Sequence, residues 1–205
     1  AALLLLAPPA LHAQGEPRDT LGLRPAFRLI DRFAAQALLQ ENTPGLALAL
    51  VDRRGLITVR SYGYADLERR LPVTPQTRFQ IGSISKSFTA IALLQLADEG
   101  RFDPTRPVRN TLHWFTPQTE WHPVTAHDLL THTSGLGEAS GDAARQAKTL
   151  ADLVPLWLAA PMQYEPSAKW QYCQSGINAA GRIVEVVSGM TFDVFLRKRL
   201  FNPLG

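Results

Sequence analysis

Ser83-Ile84-Ser85-Lys86 places a hydroxyl and an amine three residues apart, a spacing that puts both side chains on one face of a helix. A serine hydroxyl is a weak nucleophile at its free pKa, whereas a desolvated lysine can lose its proton near neutrality and act as its base. Backbone N–H groups at the start of the same helix can hold the oxyanion formed in acyl transfer. The pattern therefore suits covalent chemistry at a carbonyl. It also suits an N-cap serine followed by a solvated first-turn lysine. A lysine one turn into a segment that is apolar on most sides fits the catalytic reading better. Ser85 and Ser87 lack the three-residue relation to Lys86 and read as helix surface or cleft wall.

The other reactive residue types form no competing constellation. His122, His127 and His132 recur every five residues, which fans them around a helix axis, so they read as surface or loop histidines and not as metal ligands. Ser134 lies in His132-Thr133-Ser134-Gly135-Leu136-Gly137, where the first glycine of a nucleophile elbow is missing, and reads as part of a structural turn. Cys173 is the single cysteine, so it makes no internal disulfide, and a lone cysteine reads as a small buried hydrophobe. Trp114, Trp121, Trp157 and Trp170 are expected in the core, with Trp170 near enough to Tyr172 to edge a site. No metal and no cofactor is implied.

The elements that must position Ser83 and Lys86 follow from periodicity. Phe27, Ile30, Ala34 and Leu38 predict an amphipathic helix over residues 27–41, stopped by Thr43-Pro44-Gly45. Leu46 to Asp52 and Leu56 to Tyr62, joined by Arg53-Arg54-Gly55, predict an antiparallel hairpin. Residues 63–79 read as loop, and no third convincing strand follows. Ser83 to Glu99 is apolar on most of its surface, which predicts a buried helix capped by Gly100. Thr125 with Asp128, and Thr149 with Asp152, have the spacing of capping boxes. Later helices are expected over 175–188 and from an N-cap at Thr191 to a stop at Asn202-Pro203. One hairpin is not a stable sheet by itself, so the expectation is that strands are missing from this chain.

Phe79-Gln80-Ile81-Gly82-Ser83-Ile84-Ser85-Lys86-Ser87-Phe88-Thr89-Ala90 resembles the nucleophile segment of the serine β-lactamase and penicillin-binding-protein superfamily, in its class C β-lactamase-related, D-alanyl-D-alanine carboxypeptidase-like branch. Pro44-Gly45, Leu129-Leu130-Thr131-His132-Thr133-Ser134-Gly135-Leu136, Trp170-Gln171-Tyr172 and Phe201-Asn202-Pro203-Leu204-Gly205 follow in the order of that family. The resemblance implies an α+β, β-lactamase/transpeptidase-like fold, an antiparallel sheet flanked by helices plus a mostly helical insert, with Ser83 in the crevice between them. It implies that Ser83 is acylated, that Lys86 is its base partner, and that Tyr172 shares the proton transfer. Gln174 stands where the family's Tyr-x-Asn motif has asparagine; it keeps the substrate-binding amide but reaches one methylene further. The family's third element, Lys-Thr-Gly or His-x-Gly on a sheet strand, is absent, since the last histidine is His132 and the only lysine after Tyr172 is Lys198.

The activity implied is that of a serine hydrolase, working through an acyl-enzyme on esters, D-amino-acid peptides or β-lactams, with a small molecule or peptide as its partner. The alternative is a non-catalytic penicillin-binding-like module that binds peptide or cell-wall fragments. Ser83, Lys86 and Tyr172 occurring together speak against it. Of the 205 residues 45% are hydrophobic and 19% charged, and the net charge is +3, a balance that excludes disorder and gives no nucleic-acid footprint. The opening AALLLLAPPALHA is too short to span a bilayer as a helix and reads as the remnant of a signal peptide. The expected organisation is therefore a leader over 1–13 and an incomplete domain over 14–205, divided into 27–82 and 83–205. An exported protein, periplasmic or secreted, follows from the leader, and the isolated piece is expected to be inactive.

Overall fold

Pro25 opens the first helix, in the turn where a missing N–H costs nothing. The computed structural model describes residues 22–117, 121–138, 141–158 and 161–204. The expected leader lies outside the described residues. The chain divides into two compact units, one ending at Gln80 and one beginning at Ile81.

In the first unit, α1 (Arg24–Gln40) starts earlier than the apolar periodicity suggests and buries Phe27 and Ala34, two turns apart. The hairpin forms as expected from β1 (Gly45–Asp52) and β2 (Gly55–Asp66), paired antiparallel. The Asp52 carboxylate accepts the Arg54 N–H at 2.7 Å, and Gly55, at φ +106°, takes a conformation open to glycine alone without strain. Residues 63–79 are not all loop. β2 continues to Asp66, and a two-residue third strand, β3 (Leu71–Pro72), pairs with it antiparallel. So short a strand has no readable alternation, and Pro72, which donates no ladder bond, belongs at such an edge. Thr58, Arg60 and Tyr62 share one face of β2 and are buried. There Arg60 bonds both oxygens of Asp31 at 3.0 Å, and Tyr62 donates to the same carboxylate at 2.7 Å. Burial and the Asp31 charge push the Tyr62 phenol far above its usual value.

The second unit is helical. A 3-10 turn (Gly82–Ile84) leads into α2 (Ser85–Asp98), followed by α3 (Ala126–Leu130), α4 (Asp142–Gln146), α5 (Leu150–Leu153), α6 (Gln174–Ser188) and α7 (Phe192–Leu196). α2 ends as its sequence suggests. The Gly100 N–H bonds Ala97 O and the Arg101 N–H bonds Leu96 O, with Gly100 at φ +69°, which is a Schellman cap. Both capping boxes form: Thr125 with Asp128 and Thr149 with Asp152. The core gathers Leu93 and Leu96 of α2, Leu129 of α3, Ile183 and Val184 of α6 and Phe195 of α7, all fully buried. Each such side chain contributes about 1.5–3 kcal/mol by leaving water.

Three expectations need correction here. α2 is not buried all round: Ala92, Leu93 and Leu96 are covered, while Ile84 before it and Ile91 and Leu94 within it are exposed. Overall apolarity says nothing about which face finds a partner. The last helix does not stop at Asn202-Pro203, because a π turn (Arg197–Phe201) passes into α8 (Asn202–Leu204). Pro203 tolerates this place at the start of a helix. The Arg199 carbonyl, to which residue 203 cannot donate, accepts from the Gln95 side chain at 3.5 Å. Finally, of the four tryptophans only Trp157 is buried; Trp114, Trp121 and Trp170 are exposed.

Candidate active site

Gly82, at φ +52°, turns the chain into the 3-10 turn that carries Ser83, and Lys86 is the second residue of α2. Ser83 thus stands before the α-helix and not inside it. The three-residue spacing still works, since side chains three apart eclipse in 3-10 geometry, and Lys86 Nζ donates to Ser83 Oγ at 3.2 Å.

Tyr172 arrives from the loop before α6, with its hydroxyl 2.5 Å from Ser83 Oγ. Lys86 Nζ lies 4.7 Å from the centre of the Tyr172 ring. Cys173 caps α6, its Sγ accepting the Gly176 N–H at 3.4 Å, so the buried thiol is used structurally; burial also pushes its pKa up. Gln174 opens the helix. Its Oε1 accepts from Lys86 at 2.6 Å and its Nε2 donates to Asn178 Oδ1 at 3.0 Å. The structure therefore brings Ser83, Lys86, Tyr172 and Gln174 together. The Lys86 ammonium first, and the Ser83 hydroxyl second, hold the Tyr172 phenol below its usual value. Ser83, Lys86 and Gln174 open on a cleft of about 1140 Å³ whose lining also includes Thr149, Asn178 and Arg182.

Four further residues support the site and were not singled out for it in the sequence. Asn178 could have been found, one helical turn after Gln174. Glu138 accepts from the Gln174 N–H, from the Ser175 N–H at 3.1 Å and from the Ser175 hydroxyl at 2.8 Å, satisfying the first donors of α6. Nothing local to Glu138 announces this. Asp128, buried, accepts not only from Thr125 but from Thr133 at 3.2 Å and Ser167 at 2.6 Å. His132 is no ordinary loop histidine: its Nδ1 accepts the Cys173 N–H at 3.1 Å.

These contacts join two loops. The Ser167 N–H bonds Thr133 O, the Gln163 N–H bonds Gly135 O and the Gln171 N–H bonds His132 O, at 2.8–2.9 Å. Gly135 sits at φ +72°, where an added Cβ would lie 2.0 Å from Tyr164 O, so only glycine fits between the strands of chain. Ser134 is buried, its Oγ accepting the Leu136 N–H at 3.4 Å, in keeping with a turn and not a nucleophile. Among the described residues no three His, Cys, Asp or Glu side chains gather as a metal set, and no helix is long and apolar enough to cross a membrane.

Residues 28–205 match the family model described as Beta-lactamase. The chain is 34% identical over 169 residues to penicillin-binding protein 4 of Amycolatopsis lactamdurans, covering 81% of this chain and 44% of that protein. It is 28% identical over 180 residues to a β-lactamase of Escherichia coli, covering 86% of this chain and 46% of that one. The solved structure of an octameric penicillin-binding protein homologue from Pyrococcus abyssi superposes with a TM-score of 0.77 at 28% identity, covering 87% of this chain and 43% of that chain. The chain thus spans less than half the length of these relatives.

Proposed function

The chain belongs to the Beta-lactamase family, and from that premise we propose that it carries the nucleophile half of a serine hydrolase that works through an acyl-enzyme, in the class C-related, carboxypeptidase-like branch. One observation carries the reading: the Ser83 hydroxyl lies 2.5 Å from Tyr172 Oη and 3.2 Å from Lys86 Nζ. Ser83 accepts from Lys86, which leaves its own proton for Tyr172. As Ser83 Oγ bonds to a substrate carbonyl carbon, that proton passes to the Tyr172–Lys86 pair; the tetrahedral oxyanion then collapses, the bond to the leaving group breaks, and the leaving group takes the proton. Water then attacks the acyl carbon and gives one proton to the Tyr172–Lys86 pair; the Ser83 Oγ–acyl bond breaks, the acid departs, and Ser83 Oγ takes up that water-derived proton. The nearby ammonium favours the phenolate form of Tyr172, which is what a proton acceptor at this place requires.

The substrate class is an ester or a D-amino-acid peptide in preference to a dedicated β-lactam, because Gln174 spends its amide on Lys86 and Asn178. Export fits the apolar opening of the chain. The test is covalent. The intact protein is treated with a fluorophosphonate or a labelled penicillin, digested, and the modified peptide sequenced. An adduct on Ser83 is the expected result; no adduct, or one on Ser85 or Ser87, overturns the catalytic reading and favours a binding module.

Gln174 supplies a graded version of the same measurement. Gln174→Ala removes an acceptor from Lys86 and leaves Asn178 Oδ1 without its donor, so Ser83 labelling is expected to slow about tenfold, the worth of one charge-assisted hydrogen bond. Gln174→Asn, too short for both contacts at once, is expected to fall between wild type and alanine. Labelling by Gln174→Ala at the wild-type rate would show that the amide does not hold Lys86 in place.

A further inference from the structure

Tyr172 is the one member of the site that no regular element carries. Ser83 and Lys86 ride on the turn and helix that begin at Gly82, and Gln174 is the first residue of α6; residues 171–173 have no helical or strand structure. Something else must decide where the phenol points. We propose that His132 is the positioning residue for Tyr172, fixing the phenol against Ser83 through a hydrogen bond to the next peptide and through the face of its ring. The proposal rests on the catalytic reading of Ser83 and Tyr172 given above.

Three contacts converge on the segment. His132 Nδ1 accepts the Cys173 N–H at 3.1 Å, the first amide after Tyr172. The imidazole lies against the phenol, ring centres 4.7 Å apart and planes tilted by 30°, within the distance at which aromatic rings attract. On the other side of Tyr172 in sequence, the Gln171 N–H bonds the His132 carbonyl at 2.9 Å. One residue thus grips the backbone before and after Tyr172 and packs on its side chain. Trp170 meets the same imidazole edge-on, ring centres 6.2 Å apart, which limits its rotation.

The backbone of His132 is part of the device. Its φ is +62°, a left-handed conformation that non-glycine residues keep only where their surroundings hold them. That conformation sends the carbonyl to Gln171 while the ring reaches Cys173. Because Nδ1 accepts, the ring proton of the neutral imidazole is on Nε2. A misplacement of about 1 Å at a reacting group can cost about 100-fold in rate, so a histidine that touches neither substrate nor Ser83 can govern the reaction through Tyr172.

Two variants whose backbones both accept the left-handed conformation separate this role from a structural one. His132→Gly accepts the left-handed conformation freely but has no acceptor and no ring; His132→Asn also tolerates it and offers Oδ1 near the place of Nδ1. Fluorophosphonate labelling of Ser83 is expected to slow about 10–100-fold in His132→Gly and to recover in part, to within about tenfold of wild type, in His132→Asn, which restores the acceptor but not the ring. The Tyr172 phenol, titrated by ultraviolet absorbance against a Tyr172→Phe background, is expected to move up toward the ordinary tyrosine value in His132→Gly and to stay low in His132→Asn. If His132→Gly does not fold, His132→Gln, whose oxygen reaches the place of Nε2 instead, takes its place with the same expectation. Wild-type labelling in the variant without the acceptor, an unchanged titration, or an asparagine variant no better than glycine overturns the proposal. The titration needs no substrate. A wild-type protein that is never labelled therefore counts against the hydrolase reading, and an unmoved titration counts against His132.

Discussion

Replacing Lys86 with methionine lowers the rate at which Ser83 is acylated by about 1,000-fold, the middle of the range for loss of general acid–base catalysis. Methionine keeps the length of the stem and its packing, so the change removes one charge and three donors and little else. Three losses then fall on the same reaction. Ser83 loses the donor 3.2 Å away that turns its own proton toward Tyr172. Gln174 loses the partner of its Oε1 at 2.6 Å. Tyr172 loses the ammonium that holds its phenol low, so at neutral pH less of it is ready to take a proton. The check is the second-order rate constant of fluorophosphonate labelling, with the thermal midpoint measured in parallel. A fall of less than about tenfold in a folded variant would mean that Lys86 is a spectator. Lys86→Arg is expected to do little better than methionine, since a planar guanidinium cannot place one compact charge between Ser83, Gln174 and the Tyr172 ring.

The largest effect on stability is expected at Asp128. Its carboxylate is buried, and hydrogen bonds from Thr125 N, Thr125 Oγ1, Thr133 Oγ1 and Ser167 Oγ, at 2.6–3.2 Å, satisfy it. Burial alone pushes this carboxyl up; the bonds from Ser167, Thr125 and Thr133 more than reverse that, and the net effect is a pKa below the usual value. Asp128→Asn replaces one accepting oxygen with a donor that faces other donors, and is expected to cost about 3 kcal/mol. The sign with pH follows from the direction of the shift. A carboxyl held lower in the folded state contributes its full stability above the unfolded-state pKa, near pH 4 or about there. That contribution is lost as pH falls through the lower folded-state value. Denaturant melts at neutral and acid pH should therefore show a wide gap between wild type and Asp128→Asn that narrows on acidification. A gap that stays constant, or widens, would mean that the charge of Asp128 is not what the variant removes. Asp128 also ties Thr133 to Ser167, so the variant should slacken the pair of loops that present His132 to Tyr172.

The legible parts of the fold are those whose causes lie within a few residues. The hairpin announces itself through two apolar runs around Arg53-Arg54-Gly55, the two capping boxes through Thr and Asp three apart, and the end of α2 through Gly100. The parts that differ from the local pattern are those where a local rule meets a longer-range one. β3 is too short to alternate. The apolar surface of α2 told of burial but not of which face is covered, and the tryptophans told of bulk but not of depth. Pro203 reads as a stop, yet a π turn before it and the Gln95 side chain provide for the carbonyl it leaves free.

The site divides along the same line. Ser83 and Lys86 are three residues apart, and a helical turn of any kind brings them together, so the sequence by itself determined the pairing of this hydroxyl with its nearest cation. Gln174 and Asn178 are likewise four apart on one helix. Ser83 and Tyr172 are 89 residues apart, and the order of motifs named the tyrosine without giving it a position; the packing of α2 against α6 brings the two segments near each other, and the 2.5 Å contact forms only in the folded chain. Glu138 and His132 lie 37 and 41 residues from their partners; Glu138 left no trace in any local pattern, and the motif that holds His132 gave no sign of which group it would serve. Their work is to satisfy backbone N–H groups of a distant segment, and every peptide offers that same group whatever its side chain. Which of these amides remains without a partner is decided only once the chain has folded. The tertiary structure therefore determined which carboxylate and which imidazole would serve the site, because it determined which N–H groups needed them.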